Sequence, residues 1–219
     1  MGDATTANIP QHNKLVYNNY FESNDKAVWI TSFYGQSTDM WLENNTFSRV
    51  DNIYYTPSDY DAAIQIGSGS SNANNLRLIN NKFLNGFNSD SYSFTGLSGS
   101  YDLHKKSYLY VNVKDDFGNP VINSLVTAET LDSSYSVSDY TDNNGNVFLY
   151  LNEYDEVGST SSSGAHTRTQ YGNYNVKANY GGSDYFYISQ VDPALENDII
   201  IIIGTGGCVI YDDCNHLDN

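Results

Sequence analysis

The first half of this 219-residue chain repeats itself, and the repeat limits the fold more than any single motif does. Residues 27–47 and 63–83 match at every landmark, with VWI corresponding to IQI and LENNTF to LINNKF. A further copy of the second motif, VYNNYF, occupies residues 16–21. Self-similarity at fixed spacing predicts an architecture of stacked units.

Each copy of the motif predicts two short strands joined by a sharp corner. Apolar residues alternate around an Asn-Asn pair, and asparagine tolerates the left-handed backbone of a corner. One such unit cannot bury its apolar face alone, so successive copies are expected to stack. Stacking predicts three columns: Val16, Leu42 and Leu78; Phe21, Phe47 and Phe83; and a hydrogen-bonded ladder of Asn19, Asn45 and Asn81.

An apolar strand that ends in Asn-Asn-x-Phe resembles the repeat of right-handed parallel β-helices. The resemblance implies a short β-helix over residues 14–104, after a polar N-terminal segment at 1–13. That segment contains Pro10 and has no helical period, so it does not look like the amphipathic cap that usually closes a β-helix. The first rung is therefore expected to be open.

The second half shows short alternating strands between turns rich in Gly, Asn and Asp. The predicted strands are 108–113, 121–130, 147–151, 174–180 and 198–203. Strands of this kind without a helix predict an antiparallel sandwich over 105–204. The Ser- and Gly-rich segment 153–170 is expected to be a long mobile loop, and 205–219 a cysteine-containing tail.

The turns of this half carry a second resemblance. Gly118-Asn-Pro-Val121 and Thr141-Asp-Asn-Asn-Gly145 resemble the turns of carboxypeptidase-regulatory or transthyretin-like (Ig-like) sandwich domains. A β-helix followed by such a sandwich resembles the adhesin-like cell-surface proteins of archaea and bacteria. The resemblance implies an all-β extracellular protein of the cell surface or envelope, with the sandwich as a spacer or stalk.

Charge and hydropathy limit the classes of partner. The formal net charge of −16 argues against nucleic acid or an anionic membrane surface. The longest apolar run, 199–203, falls far short of the ~20 residues that span a bilayer. Neither a nucleic-acid partner nor a membrane span is therefore predicted.

A carbohydrate-active enzyme, a polysaccharide lyase or hydrolase, is the alternative, because β-helix enzymes carry carboxylates and basic residues on one face of successive rungs. The residues available are Asp39, Glu43, Arg49, Asp51, Asp59, Asp61 and Arg77. The positions that match Glu43 hold Tyr17 and Ile79, so no column of carboxylates forms. The sequence predicts no catalytic residue and no cofactor, and none of His12, His104, His166 and His216 stands in the order of a hydrolytic triad.

Exposed aromatic residues could also stack on sugars, which keeps a carbohydrate-binding module and surface glycans among the alternatives. The candidates are Trp29, Trp41, Tyr54, Tyr55 and Tyr60. Cross-strand packing within a sheet explains alternating aromatic residues equally well, and it is the favoured interpretation.

The two cysteines, Cys208 and Cys214, lie together in the tail. For an exported chain the favoured interpretation is a disulfide between them. A crosslink between chains is the second interpretation. A metal site with His216 and Asp212 or Asp213 is the third, although the spacing matches no common zinc pattern.

The sequence thus favours a non-enzymatic structural or adhesive protein. Unpaired strand edges at an open first rung invite further strand pairing. Head-to-tail pairing that does not close would produce a homopolymer, such as a filament, sheath or surface layer.

Overall fold

The computed structural model of the chain describes residues 14–23, 27–30, 37–49, 62–66, 72–88, 90–94, 99–159, 166–195 and 198–204. These residues form β-strands, turns and connections without a helix, which confirms the prediction of an all-β fold. It follows that no helix in this part of the chain is long and apolar enough to cross a membrane.

The chain divides into two compact units. The first comprises residues 1–105 and 154–169, and the second comprises residues 106–153 and 170–219. The sequence predicts a boundary between 104 and 105 and a second domain that runs without interruption to 204. The structure instead assigns 154–169 to the first unit.

The repeats of the first unit form ten short strands. They are β1 (Lys14–Tyr17), β2 (Tyr20–Ser23), β3 (Val28–Ile30), β4 (Ser37–Thr38), β5 (Met40–Glu43), β6 (Thr46–Arg49), β7 (Ile64–Ile66), β8 (Ala73–Ile79), β9 (Lys82–Leu84) and β10 (Tyr92–Phe94). The pairings among these described strands are parallel and fall in three sets: β1-β5-β8, with β4 also on β8; β2-β6-β9; and β3-β7-β10.

The register of these ladders follows the sequence repeat. Val16 lies opposite Leu42, and Leu42 opposite Leu78. The third ladder extends further than the sequence indicates, because β10 pairs with β7 although the repeat fades after Asn85. Apolar side chains from the three ladders, with Leu103 and Tyr154, make up the core of this unit.

The remaining strands are β11 (Ser100–Asp115), β12 (Leu125–Thr130), β13 (Ser136–Tyr140), β14 (Asn146–Ser159), β15 (His166–Gln170), β16 (Tyr174–Tyr180), β17 (Ser183–Phe186) and β18 (Asp198–Ile203). In the sheet of the first unit, β8 is hydrogen-bonded to β11, β11 to β14, and β14 to β15. The expected loop over 153–170 is therefore wrong in its described part. Tyr154 and Glu156 are buried there, and a strand that alternates buried with half-exposed residues is the stable arrangement.

The second unit contains two sets of strands. Antiparallel pairing joins β13-β12-β16-β17. The other set joins β14, β11 and β18, and here the expectation of a purely antiparallel unit is wrong, because β18 runs parallel to β11 with Tyr110 opposite Asp198. Val111, Val126, Leu149, Val176 and Ile201 belong to one buried apolar cluster.

Candidate functional site

The first asparagine of each repeated pair forms a left-handed corner. Asn18, Asn44 and Asn80 have φ angles of 55°, 53° and 48°. Their side chains also bond to one another, since Asn44 Nδ2 donates to Asn18 Oδ1 and Asn80 Nδ2 donates to Asn44 Oδ1, each at 3.3 Å. Asparagine fits because its short amide relieves the strain of this conformation by local hydrogen bonds.

The second asparagine of each pair bonds across the strands. Asn45 Oδ1 accepts from Asn19 N at 3.0 Å and from Asn19 Nδ2 at 3.1 Å. Asn81 Oδ1 accepts in the same way from Asn45 N and Nδ2. Asn45 Nδ2 also donates to Val16 O at 2.8 Å, and Asn81 Nδ2 donates to Leu42 O. The fully buried Asn45 amide thus satisfies backbone groups that would otherwise lie unpaired inside the unit.

The three phenylalanines of the repeat stack. The ring centroids of Phe21 and Phe47 are 5.2 Å apart, and those of Phe47 and Phe83 are 5.3 Å apart, with interplanar angles of 9° and 20°. Phe47 has no exposed surface, while Phe21 and Phe83 are partly buried. The structure therefore brings together all six residues of the predicted Phe and Asn columns.

The strands β1 and β2, which begin two of the parallel ladders, carry large exposed side chains. Among the described residues, β1 pairs with β5 only and β2 with β6 only. Leu15, Tyr17 and Tyr20 are exposed by 58%, 53% and 61%. Since Asn18 N donates to Glu43 O, and N–H groups alternate along a strand, the N–H of Tyr17 is directed away from β5. We call this surface the β1–β2 edge.

The candidate catalytic residues that the structure describes take part in structural contacts. Asp39 has a left-handed backbone and its Oδ1 accepts from Asn75 Nδ2. Glu43 is buried and lies in register between Tyr17 and Ile79. The Arg77 guanidinium lies 4.4 Å from the ring centroid of Trp41. The Arg49 guanidinium lies 5.3 Å from the ring centroid of Phe87. The contacts of the described residues do not bring these side chains into one catalytic group.

Several other predicted residues lie outside what the structure describes. These are Asp51, Asp59, Asp61, His12, His216, Tyr54, Tyr55, Tyr60, the side chain of Trp29, and Cys208 and Cys214 with the proposed tail contacts. His166 is exposed at the start of β15.

His104 lies between two carboxylates. Its Nδ1 is 2.7 Å from Asp155 Oδ1, and its Nε2 is 3.3 Å from Asp102 Oδ2. The hydrogen bond that His104 donates to Asp155 raises the pKa of His104, and the charges of Asp155 and Asp102 add to this against the opposing effect of burial. With both ring nitrogens engaged, His104 is placed to hold a proton rather than to activate a nucleophile.

A second polar cluster surrounds Arg168 in the segment expected to be a loop. Arg168 bonds to Glu156 Oε2 through Nη2 at 2.7 Å and through Nε at 2.8 Å. Its Nη2 also lies 2.7 Å from Tyr92 Oη, and its guanidinium lies 4.0 Å from the ring centroid of Tyr154. Glu156, with 6% of its side chain exposed, accepts in addition from Tyr101 Oη at 2.9 Å. These hydrogen bonds therefore offset the desolvation cost of the Arg168–Glu156 ion pair.

The electrostatics of this cluster indicate a structural role. Burial raises the pKa of Tyr92 to about 12, despite the opposing hydrogen bond with Tyr154. Burial likewise raises the pKa of Tyr101 and of Tyr154. Burial lowers the pKa of Arg168, but the hydrogen bond to Glu156 and the electrostatic effects of Tyr92, Tyr154 and Glu156 together outweigh it, and the pKa is raised. These phenols stay protonated and Arg168 stays charged near neutral pH, so they suit hydrogen bonding better than proton transfer.

The turn at 141–146 resembles part of a calcium loop in sequence, but its carboxylate is used internally. Asp142 Oδ1 accepts from Asn144 N at 2.8 Å and from Asn146 N at 2.9 Å, and these backbone bonds lower the pKa of Asp142. In the part of the chain that the structure describes, no group of three or more His, Cys, Asp or Glu residues is arranged to hold a metal ion.

Sequence reasoning missed the Arg168 cluster for a physical reason. Residues 154–156 are Tyr-Asp-Glu, which shows no apolar alternation in the sequence, and Arg168 lies in a separate strand after a segment rich in Ser and Gly. Asp102 and His104, by contrast, stand two residues apart and so on one face of a strand.

Comparison with protein-family models and with curated proteins found no match.

Proposed function

We propose that this chain is a non-enzymatic extracellular structural protein that associates through the β1–β2 edge. Its first unit would be a short right-handed parallel β-helix, and its second an Ig-like sandwich that serves as a spacer. The three parallel ladders and their Asn and Phe columns support the first assignment. Two sets of strands around one apolar cluster support the second.

The proposal rests on the β1–β2 edge. Backbone groups along an unpaired strand edge form a template for a further strand. Exposed Leu15, Tyr17 and Tyr20 add apolar surface beside that edge, so strand addition there would gain both hydrogen bonds and burial.

The far end of the ladders offers a different surface, which favours open assembly. Among the described strands, β9 pairs with β6 only and β10 with β7 only. Lys82 is exposed on β9, while Glu22 is exposed on β2. Contact between two such unlike ends is heterologous, and it extends into a filament or layer where the rotation does not close.

The test is sedimentation velocity with electron microscopy on the full chain over a range of concentrations. Tyr17→Pro removes a backbone N–H that is directed away from β5 and has no strand partner among the described residues. Proline is accepted on the free side of an edge strand. We expect the wild type to form concentration-dependent extended species and Tyr17→Pro to stay monomeric with a similar melting temperature. Tyr17→Phe, which keeps the edge, is the matched control and should assemble.

A wild type that stays monomeric, or stops at a closed dimer, contradicts the proposal. Equal assembly of wild type and Tyr17→Pro would place the contact elsewhere. The enzyme alternative is less well supported, because Asp39 accepts a hydrogen bond from Asn75 and Glu43 is buried.

A further inference from the structure

The second unit has a groove beside β18 that the assembly proposal does not involve. It encloses about 780 Å³, within the roughly 300–1,000 Å³ of small-ligand sites. Its lining includes Tyr110, Asn112, Asn146, Phe186, Ile188 and Ile200. Phe186 and Ile188 are exposed by 51% and 63%, so the groove is both apolar and open to ligand.

A polar atom of the groove lacks a donor among the described residues. Asn112 Nδ2 donates to Asn146 Oδ1, which fixes the orientation of the Asn112 amide. Asn112 Oδ1 is buried and has no hydrogen-bond partner in the part of the chain that the structure describes. A buried carbonyl oxygen without a donor is destabilising, and a ligand hydroxyl or amide N–H would satisfy it.

Aromatic faces accompany this amide. Tyr110 packs against Phe148 with ring centroids 4.8 Å apart, and Phe148 is exposed on the same sheet. A ring held from one side by a neighbour is a rigid platform for an apolar ligand face. Pyranose rings present such a face through their C–H groups, together with hydroxyls that both donate and accept.

Local charge favours a neutral ligand. Among the described residues that line the groove, those that are charged at neutral pH are Lys114 and Asp198, and their charges offset each other. The net charge of −16 further disfavours anions. Three amides (Asn112, Asn144 and Asn146) suit hydroxyl groups better than they suit an aliphatic chain.

From these observations we propose that the groove binds a neutral oligosaccharide, with Tyr110 and Phe186 packing against sugar rings and Asn112 Oδ1 accepting from a hydroxyl. An extended peptide along β18 is the competing class of ligand, since among the described strands β18 pairs with β11 only. The three asparagine side-chain amides of the groove favour a sugar, because a peptide added to a strand edge bonds chiefly to the backbone. This site is independent of whether the chain assembles.

The test is a two-dimensional NMR titration of the full chain under conditions where it is monomeric. The probes are cellotriose, mannotriose and triacetylchitotriose, with sialyllactose as the anionic comparison and an alternating Val-Thr hexapeptide as the peptide comparison. Concentrations up to about 10 mM would fill a site with a millimolar Kd. We expect a neutral trisaccharide to shift the Asn112 and Asn146 side-chain amide signals.

Two variants separate the groove from the rest of the sheet. Tyr110→Ala should weaken binding at least about tenfold. Tyr150→Ala, which removes an exposed ring of the same sheet outside the groove lining, should leave affinity unchanged. Melting temperatures of both variants show whether the fold is intact, and Asn112→Asp gives a second test with little change of shape.

The proposal fails if none of the neutral trisaccharides shifts the groove signals. It also fails if sialyllactose or the hexapeptide binds there more tightly than every neutral sugar, or if Tyr150→Ala weakens binding as much as Tyr110→Ala does.

Discussion

Phe47 is the central ring of the phenylalanine column in the first unit. It is fully buried between the rings of Phe21 and Phe83, so truncation leaves a cavity bounded on both sides. We predict that Phe47→Ala lowers the free energy of unfolding by about 3–5 kcal/mol. Chemical denaturation measures this, with Phe21→Ala, at the end of the stack, as the smaller comparison. A cost for Phe47→Ala below about 1 kcal/mol would contradict the assignment.

Arg168 balances a charge that is buried within the same unit. Removing its guanidinium leaves Glu156 without its cationic partner, and such losses cost about 3–5 kcal/mol. We therefore predict strong destabilisation of Arg168→Ala in denaturant melts. Lys177→Ala is the control, because the Lys177–Asp184 pair is about one-third exposed and should contribute below about 1 kcal/mol. Equal costs for the two variants would show that the cluster is not energetically special.

His104 makes the stability of the first unit depend on pH. The folded-state pKa is raised by Asp155 and Asp102, so folding favours the protonated ring. This contribution is fully present below the unfolded pKa of about 6.5 and is lost as pH rises through the folded value. We predict that stability attributable to His104 falls over that range. Denaturation of wild type and His104→Gln at several pH values measures it, and a difference that grows with pH would contradict it.

At the level of elements, the turn before β14 depends on a close backbone approach. Gly145 has a φ of +75°, and a Cβ there would lie 2.5 Å from Val113 O. Gly118 has a similar φ of +82° with nothing within 4 Å. We predict that Gly118→Ala costs about 1–2 kcal/mol from backbone strain alone, and that Gly145→Ala costs distinctly more. Equal losses in thermal melts would show that the contact with Val113 is unimportant.

The elements also show what the sequence could and could not predict. The strand at 198–203 has the predicted bounds because five consecutive isoleucines, bounded by Asp198 and Gly204, leave little choice. Its parallel pairing with β11 was not predictable, because an apolar run carries no information about the direction of its neighbour. The strands within 153–170 were missed because a buried Glu156 reads as surface until Arg168 is placed beside it.

The recurrence of one motif made the columns of the candidate site predictable, while the division of roles within each Asn pair was only partly so. Asn45 and Asn81 stand 36 residues apart, and the repeat itself relates them. That the preceding asparagines form a second bonded row at the corner follows only from their left-handed backbone. The discontinuous first unit could not be predicted, since composition changes once near residue 105 but the chain returns at 154–169.

For the whole molecule, the proposed assembly competes with the charge of the chain. Each copy carries a formal net charge of −16, so bringing copies together raises their mutual repulsion. The β1–β2 edge opposes this with apolar burial and backbone hydrogen bonds, which salt weakens little. The Debye length falls from about 30 Å at 0.01 M to about 8 Å at 0.15 M, so salt should relieve the repulsion.

We therefore predict that assembly strengthens as ionic strength rises. Light scattering of the full chain in sodium chloride at neutral pH should show larger species at 0.15 M than at 0.01 M, conditions that differ by nearly fourfold in Debye length. Tyr17→Pro should stay monomeric at both, because it blocks the edge without altering net charge. If the contact instead depended on ion pairs such as Glu22 with Lys82, salt would weaken it, and assembly that falls with salt would refute an apolar, backbone-paired edge.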